Sequence, residues 1–365
     1  MAEVAILGAG HGGCAAAADL TSRGHHVRLH ARSEERLKPL LERGGIEARG
    51  IVEGFVSLDS LTTDIKEAIS GTDVVMLVVP STAHEYYANL LAPILTPNIP
   101  VFLNPGHTCG GLHFVHELKK AGYTREVRCC ETVTLTYICR MEGPTTVGIY
   151  TNVKNLLFGA FPAQNSEDLI AIIKSLYSEI IPASNVLETA LSNMNAVFHP
   201  PGMLMNTGWV ESTGGDFLFY RQGMSPAVGR VTSAVDKERM AIAKALGVKT
   251  RSFLDNFFEA GLTTKEARDS NDISRACYES MPNRTIKSPS SLDDRYIHED
   301  VGYGLVPMSE LGRMVEVPTP TIDAIIRLVS DATDIPYYRD GLTLDKMGIN
   351  NLDKDAIQRY VTQGS

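Results

Sequence analysis

The sequence predicts a doubly wound, parallel α/β sheet followed by a mostly α-helical C-terminal domain. Three observations carry this. Short apolar runs alternate with helical stretches through the first half, which implies a parallel sheet covered on both faces. After about residue 185 strand-like runs nearly vanish and helical periods take over. The length, 365 residues, exceeds what one core usually serves and suits two domains of roughly 150–200 residues. The expected domains are residues 1–184 and 185–365.

The elements follow in order. Residues 4–7 form a short apolar strand, and residues 12–23 an alanine-rich helix that stops at Gly24, a normal helix end. Val27, Leu29 and Ala31 alternate with polar residues as a strand does. Residues 74–79 are a continuous apolar run ended by Pro80, and Val101-Phe102-Leu103 is ended by Asn104-Pro105-Gly106. Residues 145–162 are expected to form a hairpin closing the sheet, and Asn165-Ser166 to cap a helix reaching about Ser178. Helices are predicted over residues 186–206, 226–246, 253–260 and 321–332. Ser225-Pro226 and Thr319-Pro320 mark two starts, a polar cap followed by proline in the first turn.

Composition narrows the function. A net charge of -9 without a Lys/Arg run argues against a nucleic-acid surface. No apolar stretch approaches the roughly 20 residues of a membrane span. The N-terminus enters Val4-Ala5-Ile6-Leu7 without a basic region or cleavage site, so a cytoplasmic protein is expected. The six cysteines show no CxxC pair and read as reduced, mostly buried thiols.

Gly8-x-Gly10-x-x-Gly13 follows a strand and opens a helix, the context in which this pattern binds a dinucleotide. The first glycine permits the tight turn, the second lets the backbone approach a pyrophosphate, and the third lets the helix pack on the strand. His11 and Gly12 complete the turn, whose free amides and helix dipole favour an anion. This is a Rossmann-type unit. The second strand ends Leu29-His30-Ala31-Arg32-Ser33, without the acid that would hold a ribose 2′-hydroxyl. Arg32 can pair with a 2′-phosphate instead, so NADPH is expected. NADH remains the alternative, because Arg32 could lie exposed beside the adenine and Glu34 and Glu35 follow directly. Val79 and Asn104, just past strand C-termini, are expected on the nicotinamide side, although each could simply begin a loop.

In the helical half, His199 precedes Pro200-Pro201. Each proline removes an N–H, and Pro200 disfavours α geometry at His199, so a kink is expected there. Asn195, four residues earlier, shares the face of His199. A structural histidine at a kink and a catalytic one both fit. In residues 294–301, Arg295 could clamp a carboxylate and Asp300 orient an imidazole, the bland alternative being a solvated loop.

Together Gly8 to Gly13, Asn193-x-Asn195-x-x-x-His199-Pro200, Arg295-Tyr296-x-x-Glu299-Asp300-Val301 and Leu305-Val306-Pro307 resemble the opine dehydrogenases, which include octopine and N-(1-carboxyethyl)norvaline dehydrogenases. The resemblance extends over nearly the whole chain, including Ser309-Glu310-Leu311-Gly312 and Val317-Pro318-Thr319-Pro320. It implies NAD(P)H-dependent condensation of a 2-oxo acid, pyruvate or 2-oxoglutarate, with the amine of an amino acid. It implies His199 as catalytic histidine, Asp300 as its partner and Arg295 as the carboxylate-binding arginine. Some relatives end the second strand with aspartate where this chain has Ala31-Arg32.

Other signals weigh less. His107, Cys109, His113 and His116 match no common zinc spacing, and no metal is expected. Trp209, Phe217, Phe219 and Tyr220 read as core, with a pocket lining as the alternative. Ketopantoate- and glycerol-3-phosphate-type reductases share the N-terminal pattern but use a catalytic lysine, and residues 186–224 contain none. A non-catalytic NADPH sensor would need no His199/Arg295/Asp300 set. The sequence leaves a homodimer open and does not name the amino donor.

Overall fold

The structure, a computed structural model, describes residues 1–364. It divides into two compact units. One comprises Met1–Gly106, Phe114–Val186 and Thr362–Gly364, and the other His107–His113 and Leu187–Val361.

The first unit carries twelve strands: β1 (Glu3–Leu7), β2 (His26–His30), β3 (Gly45–Gly50), β4 (Gly54–Ser57), β5 (Ser60–Thr62), β6 (Val74–Leu77), β7 (Val101–Leu103), β8 (Cys129–Thr132), β9 (Tyr137–Met141), β10 (Thr146–Asn152), β11 (Leu156–Phe161) and β12 (Ile180–Pro182). Eight form one sheet in the order β12-β11-β8-β7-β6-β1-β2-β5. Every pairing in it is parallel except β11 with β8. The chain leaves β1 for β2 on one side and later returns to β6 on the other, so the turn after β1 stands at the switch point where such sheets bind ligands. The buried runs of β1, β6 and β7 fit a sheet covered on both faces.

The expected hairpin over residues 145–162 does not form. Strand β10 pairs with β3 and β9 in a separate four-stranded sheet, while β11 joins the main sheet. Strand β11 is buried almost throughout and β10 only over residues 147–149, and adjacency in sequence did not decide their partners. The His11–Ser22 helix touches β1 and β2 of one sheet and β3, β4, β9 and β10 of the other. Burial on both sides explains its alanines, since Ala15 to Ala18 are inaccessible and small side chains let two sheets approach.

In the second unit the Pro226–Leu246 helix starts as expected, with the Ser225 hydroxyl accepting the Val228 N–H. The helix expected over residues 186–206 divides into Val186–Ala190 and Asn195–Leu204. Asn193 Oδ1 accepts the Asn195 N–H at 3.0 Å, so a side chain competes with the backbone ladder at this break. The fully buried Arg239 fixes the break by donating to the Leu191 carbonyl, held in turn by Asp236 at 2.6 Å. The second helix runs through Pro200 and Pro201 with His199 inside it, so the predicted departure of His199 from helical geometry is not seen. Residues 196–203 are all buried, and packing offsets the lost backbone hydrogen bonds. At the Pro320–Thr333 helix the cap comes from elsewhere. Glu238 accepts the N–H groups of Thr321 and Ile322 at 2.8 and 2.9 Å, while the Thr319 hydroxyl donates to Asp323.

Candidate active site

The glycine turn assigns each glycine a separate physical job. Gly8 has φ +117°, and a Cβ there would stand 2.3 Å from the Val78 carbonyl oxygen. At Gly13 a Cβ would stand 1.7 Å from the Gly8 carbonyl oxygen, so this glycine sets the approach of helix to strand. A Cβ on Gly10 would meet nothing within 4 Å, which leaves its backbone open to a ligand. The helix has no acidic residue in its first turn, as suits an anion site.

Gly8 and Gly10 line a cavity of about 280 Å³ together with Arg32 and Val79. Four predicted cofactor residues stand outside it. Gly12 and Gly13 are buried beneath the turn. His11 Nδ1 accepts the Met141 N–H at 2.7 Å. Asn104 is fully buried with its amide occupied, since Nδ2 donates to Thr136 Oγ1 at 3.0 Å and Oδ1 accepts the Thr136 N–H at 3.1 Å. Asn104 thus braces the end of β7.

Sequence reasoning missed Arg36. It lines the same cavity with Ser33, and its Nε donates to the Ala9 carbonyl at 2.6 Å, tying the glycine turn to the helix after β2. Its signal was available: it lies four residues past Arg32, on the first turn beyond the strand tip. Arg32 is exposed, with its guanidinium 5.5 Å from the Tyr86 ring centroid. Among the described residues, none of those lining the cavity is acidic, and Glu34 and Glu35 do not line it.

In the second unit, residues 295–300 are a short helix rather than a loop, capped by Asp294 Oδ1 accepting the Tyr296 N–H at 2.9 Å. This helix packs on the Asn195–Leu204 helix. The packing brings Asp300 Oδ2 to 2.7 Å from His199 Nδ1, with both side chains buried. The other ring nitrogen, Nε2, lies 3.0 Å from the Tyr220 hydroxyl, which is 3.1 Å from the Tyr296 hydroxyl. The Tyr296 ring stacks on the imidazole with centroids 3.6 Å apart and planes 6° apart. The sequence placed Tyr296 in the family motif without a role, and read Tyr220 as core with a pocket lining as the alternative.

Two further groups flank the dyad. His107, read as part of a metal-like cluster, has Nε2 3.3 Å from Glu299 Oε1, both buried. Arg295 has Nε 3.5 Å from Glu299 Oε2 and keeps 47% of its side chain exposed, so the guanidinium is oriented yet open to a ligand. Asn195 is half-buried at the start of the helix, one turn before His199. Burial, and then the neighbouring Glu299 carboxylate, push Asp300 up to about 8, with His107 and Arg295 pulling the other way. Asp300 therefore keeps its proton to a higher pH than an exposed carboxylate does, at hydrogen-bond distance from His199 Nδ1.

A buried histidine aligned by a carboxylate, with a half-exposed arginine at the start of the carboxylate's own helix, suits proton transfer on a carboxylate-bearing substrate. Comparison with known proteins agrees. Residues 182–333 match the NAD/NADP octopine/nopaline dehydrogenase alpha-helical domain, and residues 3–118 match the NAD-dependent glycerol-3-phosphate dehydrogenase N-terminus. An opine dehydrogenase from Arthrobacter sp. (strain 1C) is 36% identical over 362 residues, 98% of this chain and 98% of its own.

The chain belongs to the opine dehydrogenase family.

As a member of that family it is an NAD(P)H-dependent oxidoreductase acting on CH–NH groups. Two solved structures share the fold. Octopine dehydrogenase with NADH and L-arginine aligns at TM-score 0.78 and 20% identity, covering 100% of this chain and 98% of that one. Yersinopine dehydrogenase with bound NADP+ aligns at 0.76 and 16%, with the same coverage. Among the described residues no helix is long and apolar enough to cross a membrane, and all six cysteines are buried and outside any disulfide.

Proposed function

We propose that this opine dehydrogenase condenses a 2-oxo acid, pyruvate or 2-oxoglutarate, with the amino group of an amino acid and reduces the resulting imine with NADPH. The His199–Asp300 contact of 2.7 Å carries the reading. An α-ammonium group is not nucleophilic, and a base must take its proton before nitrogen attacks the keto carbon. Asp300 holds the Nδ1 proton and stabilises the imidazolium, leaving Nε2 to accept. Arg295 binds the oxo-acid carboxylate and so sets which face of the imine meets the hydride. Asn195 lies close enough along its helix to contact substrate beside His199.

The cofactor preference rests on Arg32, Ser33 and Arg36, which line one cavity with Gly8 and Gly10. Two guanidinium groups and a hydroxyl suit a 2′-phosphate. Val79 lines the same cavity, which supports a contact between it and the dinucleotide. When bound, the dinucleotide supplies the hydride, and the residues of this chain hold its phosphates and move the protons.

The test pairs two substitutions. His199→Ala nearly abolishes amine-dependent NADPH oxidation while NADPH binding, followed by nucleotide fluorescence, survives. Arg32→Ala raises KM for NADPH by ~10–100-fold, the range of a lost charge-assisted hydrogen bond, and leaves KM for NADH nearly unchanged. Wild-type kcat in the first variant removes the dyad assignment, and equal effects on both cofactors in the second remove the 2′-phosphate site.

A further inference from the structure

A buried base has a problem that an exposed one does not. His199 and Asp300 are both almost inaccessible, at 3% and 1% exposure, yet the reaction requires the imidazole to collect and return a proton each turnover. Nδ1 is committed to Asp300 at 2.7 Å, and Nε2 faces the Tyr220 hydroxyl at 3.0 Å. With Nδ1 carrying the proton toward an ionised Asp300, Nε2 presents its lone pair and Tyr220 donates to it. The Tyr220 oxygen in turn stands 3.1 Å from that of Tyr296, at hydrogen-bond distance. Nε2 is therefore met by a phenol, and the next hydroxyl lies beyond it.

The surroundings hold this arrangement firmly. Tyr296 sandwiches the imidazole against Phe198, which stacks on the other side with centroids 4.3 Å apart. Phe219 packs edge-on against the imidazole. Tyr220 sits on a single π-helical turn, Phe219–Gly223, in which Gly223 N–H reaches back to the Leu218 carbonyl and Met224 N–H to that of Phe219. Such turns recur at functional sites because the extra residue re-aims a side chain. Phe at position 220 would fill the same aromatic space, so packing alone does not require the hydroxyl.

We propose that Tyr220 is a proton relay between the substrate nitrogen and His199 Nε2. Its oxygen takes a proton from the substrate ammonium as its own O–H proton passes to Nε2. One N–H and one O–H bond break, one O–H and one N–H bond form, and the products are a free amine, neutral Tyr220 and an imidazolium paired with Asp300. The amine adds to the keto carbon, and a proton shifts from nitrogen to oxygen in the carbinolamine. The imidazolium then returns its proton along the same path to that hydroxyl, which leaves as water while the nitrogen lone pair closes the C=N bond. Tyr296 donates to Tyr220 and steadies the oxygen while it exchanges protons. The proposal rests on His199 being the base.

The test is Tyr220→Phe, with His199→Asn in parallel, measured as kcat and as kcat/KM for the amine in H2O–D2O mixtures. The wild type should give a curved dependence on deuterium fraction, the signature of two protons in flight. Y220F should lose ~100-fold in kcat, the scale of one general acid–base contribution, with a linear dependence and an unchanged KM for NADPH. An inactive H199N together with Y220F at wild-type kcat overturns the relay and keeps the dyad. An H199N variant at wild-type kcat overturns both. Should Y220F fail to fold, the wild type alone decides, because a linear dependence in the wild type overturns the relay.

Discussion

Replacing Asp300 with asparagine removes a charge and keeps the shape. In the wild type Oδ2 lies 2.7 Å from His199 Nδ1, while Oδ1 is buried without a hydrogen-bond partner. An asparagine has two ways to sit there. With its carbonyl toward Nδ1 it preserves the tautomer but offers the imidazolium no counter-charge. With its amide toward Nδ1 it donates, moves the ring proton to Nε2 and leaves the base without a lone pair. The stacked Tyr296 and Phe198 rings keep the imidazole in place either way, so the loss is electrostatic rather than positional. For charge centres ~4 Å apart at an effective dielectric of ~20, the imidazolium loses roughly 4 kcal/mol. That is about a thousandfold in kcat at ~1.4 kcal/mol per decade. The assay is the initial rate of NADPH oxidation at saturating 2-oxo acid and amine, with NADPH affinity measured separately. Affinity should hold while kcat falls. A kcat within tenfold of wild type would refute the reasoning, because Asp300 would then be an ordinary buried residue.

Three other outcomes follow from the same geometry. Gly10→Ala should fold with wild-type thermal stability, since its Cβ meets nothing within 4 Å, yet raise KM for NADPH at least tenfold; unchanged KM would show that nothing approaches that backbone. Arg295→Ala should act mainly on KM for the 2-oxo acid, by ~10–100-fold, the scale of a charge-assisted hydrogen bond, and steady-state kinetics with the oxo acid varied would show it. Asp300, raised by burial and by Glu299 from its ordinary 3.8 to about 8, binds its proton more tightly in the folded than in the unfolded chain. Between those values the folded state holds the extra proton, so this group's contribution to stability declines as pH rises through the window. In melting curves from pH 5 to 9 the wild type should therefore lose stability relative to Asp300→Asn as pH rises, and a constant difference between the two would contradict the shift.

How much of this was legible in the sequence depended on how local the constraint was. The glycine turn could be read because steric limits at Gly8 and Gly13 involve atoms a few residues away. The helix at Pro226 could be read because Ser225 and Pro226 act within one turn. What failed was long-range. Strands β10 and β11 chose different sheets, and no local pattern encodes the partner. Asn104 occupied the predicted strand end, but Thr136, thirty-two residues on, had already claimed its amide. Residues 186–206 kept a helical pattern across a break that Asn193 and the distant Arg239 impose. At the site, His199, Asp300 and Arg295 came into view only when segments about a hundred residues apart were read together through a family resemblance. Tyr220 carried no such mark, because an aromatic residue among Phe217 and Phe219 looks like core until its hydroxyl is seen against Nε2.

The central claim is that hydride goes to an imine assembled from two substrates. The most direct measurement is NADPH consumption with a 2-oxo acid alone, then with each common amino acid added, the product mass being read at completion. The account predicts negligible oxidation by the oxo acid alone, and rapid oxidation with at least one amine, giving one secondary amine per NADPH consumed. Equal oxidation with and without amine, yielding a 2-hydroxy acid, would contradict it.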